Sequence, residues 1–237
     1  NYLYNQYHNG EDDRIICVDK LTYASDLSYI QPLIDNGFVI FKQYDIGDKE
    51  NITKLLKEYS VEYIVNFAAE SHVDRSIANA KPFIDSNILG TFTILEALKQ
   101  YKKRLIQIST DEVFGDLKSG SATEDSGLNP SSPYSSSKAS AELLVNSYMI
   151  TYGVKAIITR CTNNYGPRQF IEKLIPKTIL LADQNKKIPI YNGGKGIRDW
   201  IHVDDHCNAI SQVLHKGKDG QKYNISAKNE FDVLHIV

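Results

Sequence analysis

Methionine and tryptophan appear once each, at Met149 and Trp200, and cysteine only three times, at Cys17, Cys161 and Cys207. Three scattered cysteines, with no CxxC pair and no histidine spacing of the ligand kind, exclude a disulfide framework and offer no zinc site, so no metal is expected. No apolar run approaches the roughly 20 residues that span a membrane, and no signal-peptide pattern opens the chain. Charge is nearly balanced: the formal net value is −2, too little for a nucleic-acid partner to recognise in bulk. No internal repeat is visible, and the only biased stretch is the Ser-, Gly-, Asn- and Pro-rich segment 116–132. A reducing, cytoplasmic setting is the default expectation. The chain opens on Asn1 and its one methionine is internal, so a longer parent chain is expected.

What is present is an ordinary globular composition, 42% hydrophobic and 24% charged over 237 residues. That is enough for one large domain or two small ones. Apolar runs at 14–18, 37–43, 63–69, 104–109, 155–160, 187–191, 198–203 and 222–226 predict strands. Asp48 is placed to cap an amphipathic helix with Ile52, Leu55 and Leu56 on one face. Pro82 sits in the first turn of a helix to about residue 101, and Pro133 opens another to about residue 152. Further helices are expected around 174–183 and, capped by Asp204, to about residue 215. Residues 231–237 read as the start of a helix and residues 1–7 as the tail of one. Strands apolar throughout, alternating with helices, argue for a parallel sheet covered on both faces, a doubly wound α/β fold. Sites in such folds lie beyond the carboxyl ends of the strands. Asp19, Asp45, Ala68-Ala69 and Ser109-Thr110 fall there.

Tyr134 and Lys138 stand four apart on a predicted helix and so share a face. A free phenol, with a pKa near ~10, is a poor base at neutral pH; bringing it to about 7 needs about 4 kcal/mol of differential stabilisation. A lysine cation held close favours the phenolate. The plain alternative is a Tyr and a Lys on a solvated helix face. Asp111 and Glu112 are adjacent acids after a buried-strand pattern, where repulsion and desolvation make them poor structural choices. They suit a step needing one acid and one base, their pKa values pushed apart by environment. Alternatively both are loop acids in water. Asp19 is where an acid would bind the hydroxyls of an adenosine ribose, favouring NAD over a 2′-phosphorylated cofactor, with Lys20 next door working the other way. Arg198, followed by Asp199 and Trp200, matches a diphosphate in a bidentate fork, or else pairs structurally with Asp199.

The ordered set of runs resembles the extended short-chain dehydrogenase/reductase family, and within it the dTDP-glucose 4,6-dehydratase branch. It comprises Val18-Asp19-Lys20-Leu21-Thr22-Tyr23-Ala24, Asp45-Ile46, Ala68-Ala69-Glu70-Ser71-His72-Val73-Asp74-Arg75-Ser76, Ser109-Thr110-Asp111-Glu112-Val113-Phe114-Gly115 and Pro133-Tyr134-Ser135-Ser136-Ser137-Lys138. It continues through Asn163-Asn164-Tyr165-Gly166-Pro167, Glu172-Lys173-Leu174-Ile175-Pro176, Arg198-Asp199-Trp200 and Tyr223-Asn224-Ile225. The resemblance covers nearly the whole chain. It implies a Rossmann-type NAD-binding domain over residues 1–160, interleaved with a smaller sugar-nucleotide region over residues 161–237.

The resemblance further implies that Tyr134 takes the proton of the sugar 4-hydroxyl, aided by Thr110 and Lys138, while NAD accepts the C4 hydride. Glu112 then removes the C5 proton, Asp111 protonates the leaving 6-hydroxyl, and the hydride returns to C6. Oxidation must come first, because the C5–H is inert until the neighbouring ketone exists. The implied cofactor residues are Asp19, Lys20, Leu21, Thr22, Ala24, Asp45, Ile46, Phe67, Ala68, Ala69, Ser71, Ser86, Tyr134, Lys138 and Asn164. The implied substrate residues are Ser71, His72, Thr110, Asn163, Lys173, Leu174, Pro189, Ile190, Tyr191, Arg198 and Asn224. A homodimer through the helices at 82–101 and 133–152 is expected. The family's opening strand and G-x-x-G-x-x-G turn have no match here, so about 15–25 further residues are expected upstream. The chain without them is expected to bind NAD weakly. A nucleotide-sugar 4-epimerase or decarboxylase shares Tyr–Lys and NAD but has no use for the paired acids in an elimination. An inactive NAD-binding fragment or regulator is the other alternative. The nucleotide, dTDP, UDP or CDP, is not legible.

Overall fold

A computed structural model describes residues 15–237. The helix tail expected over residues 1–7 and Arg14 at the edge of the first expected strand lie outside the described residues. In chain order the strands are β1 (Ile15–Val18), β2 (Val39–Lys42), β3 (Tyr63–Asn66), β4 (Arg104–Thr110), β5 (Ala156–Cys161), β6 (Asn163–Tyr165), β7 (Ile197–His202), β8 (Lys222–Ile225) and β9 (Glu230–Asp232). The helices are α1 (Gln31–Asp35), α2 (Lys49–Glu58), α3 (Val73–Ala78), α4 (Gly90–Tyr101), α5 (Pro133–Tyr152), α6 (Leu174–Asp183), α7 (Val203–Lys216) and α8 (Val233–Ile236). A helical turn at Lys81–Phe83 and a π-helical stretch at Ile84–Leu89 lead into α4. Among the described residues no helix is long and apolar enough to cross a membrane.

The centre is a four-stranded parallel sheet in the order β3-β4-β5-β8. Alternate residues serve opposite faces, as the period-two geometry of a strand dictates. Leu105, Ala156 and Ile158 pack with Ile94, Leu95 and Leu98 of α4 and Val145 of α5. Ile106, Ile108 and Ile157 pack on the other side with Ile210 and Val213 of α7. Both faces are therefore covered, and the core residues of β4 and β5 are buried, each such side chain stabilising the fold by about 1.5–3 kcal/mol. α2 begins where Asp48 accepts the Asn51 N–H at 3.1 Å, and Ile52, Leu55 and Leu56 face the core. At Gly90 a Cβ would stand 2.5 Å from the Ile46 side chain, so glycine lets α4 seat against the loop after β2 without displacing that side chain.

β1 pairs in parallel with β2 and, among the described residues, is not hydrogen-bonded to β3. Val18 and Ile64 nevertheless pack against the same clusters, so the two parallel pieces share a core. The expected parallel sheet thus comes in two pieces. A further small sheet pairs β6 with β7 in parallel and β7 with β9 antiparallel, a departure from the all-parallel expectation.

Local expectations are corrected in four places. Residues 187–191 form no strand: the segment has no ladder partner, and Pro189 has no N–H to offer one. β3 stops at Asn66, leaving Phe67 to Ala69 irregular. α7 is capped by His202, whose Nδ1 accepts the Asp204 N–H at 3.3 Å, while Asp204 lies inside the first turn. Residues 230–232 extend as β9 before the expected terminal helix begins at Val233. β6, β9 and α3 escaped the sequence pattern because they are too short to show a period.

Candidate active site

β4 and α5 build the first flank. Thr110 ends β4, and its Oγ1 accepts the Glu112 N–H at 3.3 Å, starting the tight turn Asp111–Phe114. Gly115 closes that turn at φ +72°, where a Cβ would stand 2.1 Å from the Asn129 carbonyl. Only glycine lets the 116–132 loop fold back to give the Asn129 N–H to the Val113 carbonyl at 2.9 Å. The two acids are therefore held by backbone rather than left on a free loop. α5 opens with Ser132 and Ser135 capping each other's backbone N–H groups and Pro133 in the first turn. That start turns Tyr134 and Lys138 inward, 9% and 4% exposed. The Tyr134 N–H bonds Ser76 Oγ at 3.1 Å, and its ring lies edge-on to Phe83.

The phenol of Tyr134 bonds Thr110, and Glu112, Cys161 and Asp111 lie near enough to act on it electrostatically. Burial first, then the Glu112 carboxylate, holds it well above its ordinary range, against a smaller lowering from its bond with Thr110. Lys138 gives its ammonium to the Ile108 carbonyl at 2.5 Å, and burial lowers its pKa to about 8. The expected Lys-driven lowering of Tyr134 is thus not achieved by the protein's own charges. Desolvation opposes both charged forms, and the cation is already committed to a carbonyl. Lys138 remains protonated at neutral pH. Asp111 and Glu112 are both raised, chiefly by desolvation, Glu112 next by Asp111, with Arg198 opposing in each case. Both environments act upward, and they differ in that Thr110 opposes the rise at Asp111 while Asp111 adds to the rise at Glu112.

Segments 163–173 and β7 form the opposing flank. Arg198 is exposed, its Nη1 on the Ile197 carbonyl at 2.8 Å and its charge acting on both acids. Asp199 does not pair with it. It accepts instead from Ser226 Oγ at 2.6 Å, Ala227 N at 3.1 Å and Asn229 N at 2.6 Å, pinning the turn before β9. Lys173 reaches the Ser71 carbonyl at 3.0 Å; burial lowers it while Glu172 and Glu112 pull it back. His72 caps α3 by accepting the Arg75 N–H at 3.4 Å, with Nε2 4.0 Å from Glu172. Asn163 donates to the Asp199 carbonyl at 3.5 Å. Asn164 donates to the Thr162 carbonyl and Cys161 Sγ, and accepts from His206 Nδ1 at 2.9 Å. Asn224 stands on β8, and Leu174 opens α6. Pro189, Ile190 and Tyr191 are exposed on their loop, with no bond to the acids or the phenol.

The third flank gathers the residues expected to hold the cofactor. Asp19 follows β1, its Oδ1 accepting the Leu21 N–H at 2.6 Å and Ser25 Oγ at 3.1 Å, while Leu21 turns left-handed at φ +56°. Lys20 pairs with Asp45 at 3.3 Å, which neutralises the cation that would otherwise welcome a 2′-phosphate. Thr22 and Ala24 are exposed, Ile46 and Ser86 buried, Ala68 and Ala69 half-buried, and Phe67 exposed beyond β3. These residues fit an adenine dinucleotide: a held carboxylate at a strand end, small residues where backbone must be approached, and a buried Tyr–Lys pair. The two sides meet where Tyr23 packs edge-on to Phe170 and the Arg75 guanidinium lies 3.9 Å above the Tyr23 ring and 3.0 Å from Glu172.

Cys161 was missed as a site residue. Its signal lay in strand ends: it closes β5 directly beside Thr110 in the register, and burial raises its thiol to about 11. His206 was passed over because its role is spatial. Among the described residues no group of three or more His, Cys, Asp or Glu could hold a metal ion.

The profile of the family described as GDP-mannose 4,6 dehydratase matches residues 2–237. The dTDP-glucose 4,6-dehydratase of Xanthomonas campestris pv. campestris is 43% identical over 235 residues, covering 94% of this chain and 67% of that protein. The crystal structure of dTDP-glucose 4,6-dehydratase from Bacillus anthracis in complex with NAD is 45% identical, with a TM-score of 0.90 over 99% of this chain and 72% of that one. A UDP-glucuronic acid 4-epimerase from Bacillus cereus, with UDP-glucuronic acid and NAD, superposes with the same TM-score of 0.90 at 28% identity over 98% of this chain and 76% of that one.

Proposed function

The chain belongs to the GDP-mannose 4,6-dehydratase family, and from that premise we propose that it dehydrates dTDP-glucose to the 4-keto-6-deoxy sugar with NAD as resident cofactor. Bound NAD would supply the hydride acceptor for C4 and the donor for C6. Tyr134, bonded to Thr110, takes the proton of the 4-hydroxyl in its phenolate form, which the buried Lys138 cation and the positive charge that a bound nicotinamide would add both favour. Once C4 is a ketone, Glu112 removes the C5 proton. Asp111 gives its proton to the departing 6-hydroxyl, and burial raises its pKa in the direction that role needs. Arg198 and Lys173 offer cations to the diphosphate, and Asp19 with Asp45 faces the adenosine end.

The observation that carries the proposal is that the turn holding Asp111 and Glu112, straight after Thr110, packs through Val113 and Phe114 on Ala139 of the helix that opens with Tyr134. Fold alone would serve an epimerase equally, as the equal TM-scores illustrate; the paired acids and the higher identity to dehydratases favour elimination. Incubating the full-length protein with dTDP-, UDP- and CDP-glucose tests it: dTDP-glucose should lose one water fastest. An isomeric product of unchanged mass would overturn dehydration in favour of epimerisation.

Three companion statements belong to the same proposal. Residues 1–160 bind the cofactor and 161–237 the sugar nucleotide, β8 returning to pair with β5 across that division. A homodimer is supported by exposed apolar side chains on the helices concerned, among them Leu89, Phe92, Leu143 and Ile150. A reducing cytoplasmic setting accords with three free thiols.

A further inference from the structure

Arg160 and Glu142 are the most deeply buried charged pair among the described residues, 1% and 2% exposed. The mechanism uses neither. Arg160 stands on β5, and its Nη2 and Nε reach the Glu142 carboxylate on α5 at 2.7 and 3.1 Å. Its guanidinium lies over the Phe114 ring at 4.8 Å, behind the acid turn. Its remaining Nη1 donates to the Glu124 carbonyl at 3.0 Å. Glu124 belongs to the 116–132 loop, and its Oε1 accepts the main-chain N–H of Asn224 at 2.9 Å. Asn224 Nδ2 donates to the Ala122 carbonyl of the same loop at 3.3 Å. A carbonyl can only accept, so the amide must turn its nitrogen there, and Oδ1 is left buried without a protein partner.

The geometry points to Glu124 as a positioning residue for sugar-nucleotide binding. It sets the main chain of Asn224, while the Arg160–Glu142 pair fixes Glu124 to the helix that carries Tyr134 and Lys138. The substrate-side amide and the phenol are thereby held in one rigid frame. A bond from a strand N–H to a carboxylate is stronger than a neutral one, and a loop already held by Arg160 keeps it preorganised. Without it the loop keeps its main-chain bond from Arg160, but Asn224 loses the carboxylate that sets its main chain against that loop. This inference rests on Asn224 contacting the substrate, as proposed above.

The test measures KM and kcat, and separately the affinity for dTDP-glucose by calorimetry, in the full-length protein. E124A should raise KM and the calorimetric Kd about tenfold, the worth of one charge-assisted bond, with kcat within about twofold. E124Q should restore both, since its amide oxygen still accepts the Asn224 N–H; E124D, one methylene short, should fall between. N224A should match E124A, and the double variant should be no worse than N224A alone. An E124A protein with lowered Tm but unchanged KM and Kd would reduce Glu124 to a structural role. Multiplying effects in the double variant would equally overturn the proposal. An N224A protein with unchanged Kd would remove the Asn224 contact and the positioning role together. A wild-type protein that binds dTDP-glucose yet releases no water would sink the dehydratase function alone, since the affinity series still decides the fate of Glu124.

Discussion

The flank formed by β4 and α5 is buried and bonded, whereas the flank formed by β1, β2 and their loops stands half in solvent. Tyr134, Lys138 and Thr110 are buried, while Asp19, Asp45 and Thr22 are exposed. β4 has ladder partners on both sides; β1 has one, β2, among the described residues. The difference teaches that the groups proposed to move protons are preorganised by the fold's core, where small displacements would cost most. The groups proposed to hold the cofactor sit at strand ends and turns, where backbone can approach a ligand.

The largest effect should come from Tyr134→Phe, which removes the phenol and leaves its packing. Turnover measured by product mass should fall by about 10²–10⁴-fold, with NAD retention unchanged on gel filtration. Equal loss of retention would erase the contrast between the flanks. Next, the double change Asp111→Asn with Glu112→Gln should stop water loss by about 10²-fold or more while oxidation persists, visible as accumulating reduced-nicotinamide absorbance. An epimerase would hardly respond.

The same contrast extends to stability. Ile157→Ala, in the centre of the covered sheet, should cost about 2–5 kcal/mol by urea denaturation. Ile16→Ala, on half-buried β1, should cost about 1 kcal/mol. Comparable costs would show the two pieces to be equally packed. A smaller effect is expected from Asp19→Asn, which should weaken NAD about tenfold with turnover unaffected at saturation. The smallest is a pH effect. Lys138 has its folded pKa lowered to about 8, below its unfolded value. The unfolded chain therefore binds more protons above about pH 8, and stability contributed by this residue rises with pH there. The gap in stability between wild type and Lys138→Met should shift in favour of wild type from pH 8 to 10; a constant gap would refute the buried cation.

Much of this is legible in the sequence. The core strands at 104–110 and 156–161 announced themselves because buried parallel strands are apolar throughout. The helix over Pro133–Tyr152 was legible from its proline start, and the i, i+4 spacing of Tyr134 and Lys138 from helix geometry. Residues 187–191 misled because an apolar run bonds as a strand only if a partner lies alongside, which composition does not reveal. β6 and β9, three residues each, exist only because β7 lies between them.

The sequence by itself determined the fold class, the strand ends at which chemistry gathers, and the identity of the acids, the phenol and the lysine, because these depend on local periodicity and residue type. Tertiary structure alone decided that the Lys138 ammonium is anchored on the Ile108 carbonyl, that both acids are raised, and that Asp199 pins a turn instead of pairing with Arg198. It also brought Cys161 beside Thr110 and joined Glu124 to Asn224. Each of these follows from desolvation and from contacts between residues distant in the chain, and neither is written in any single stretch of it.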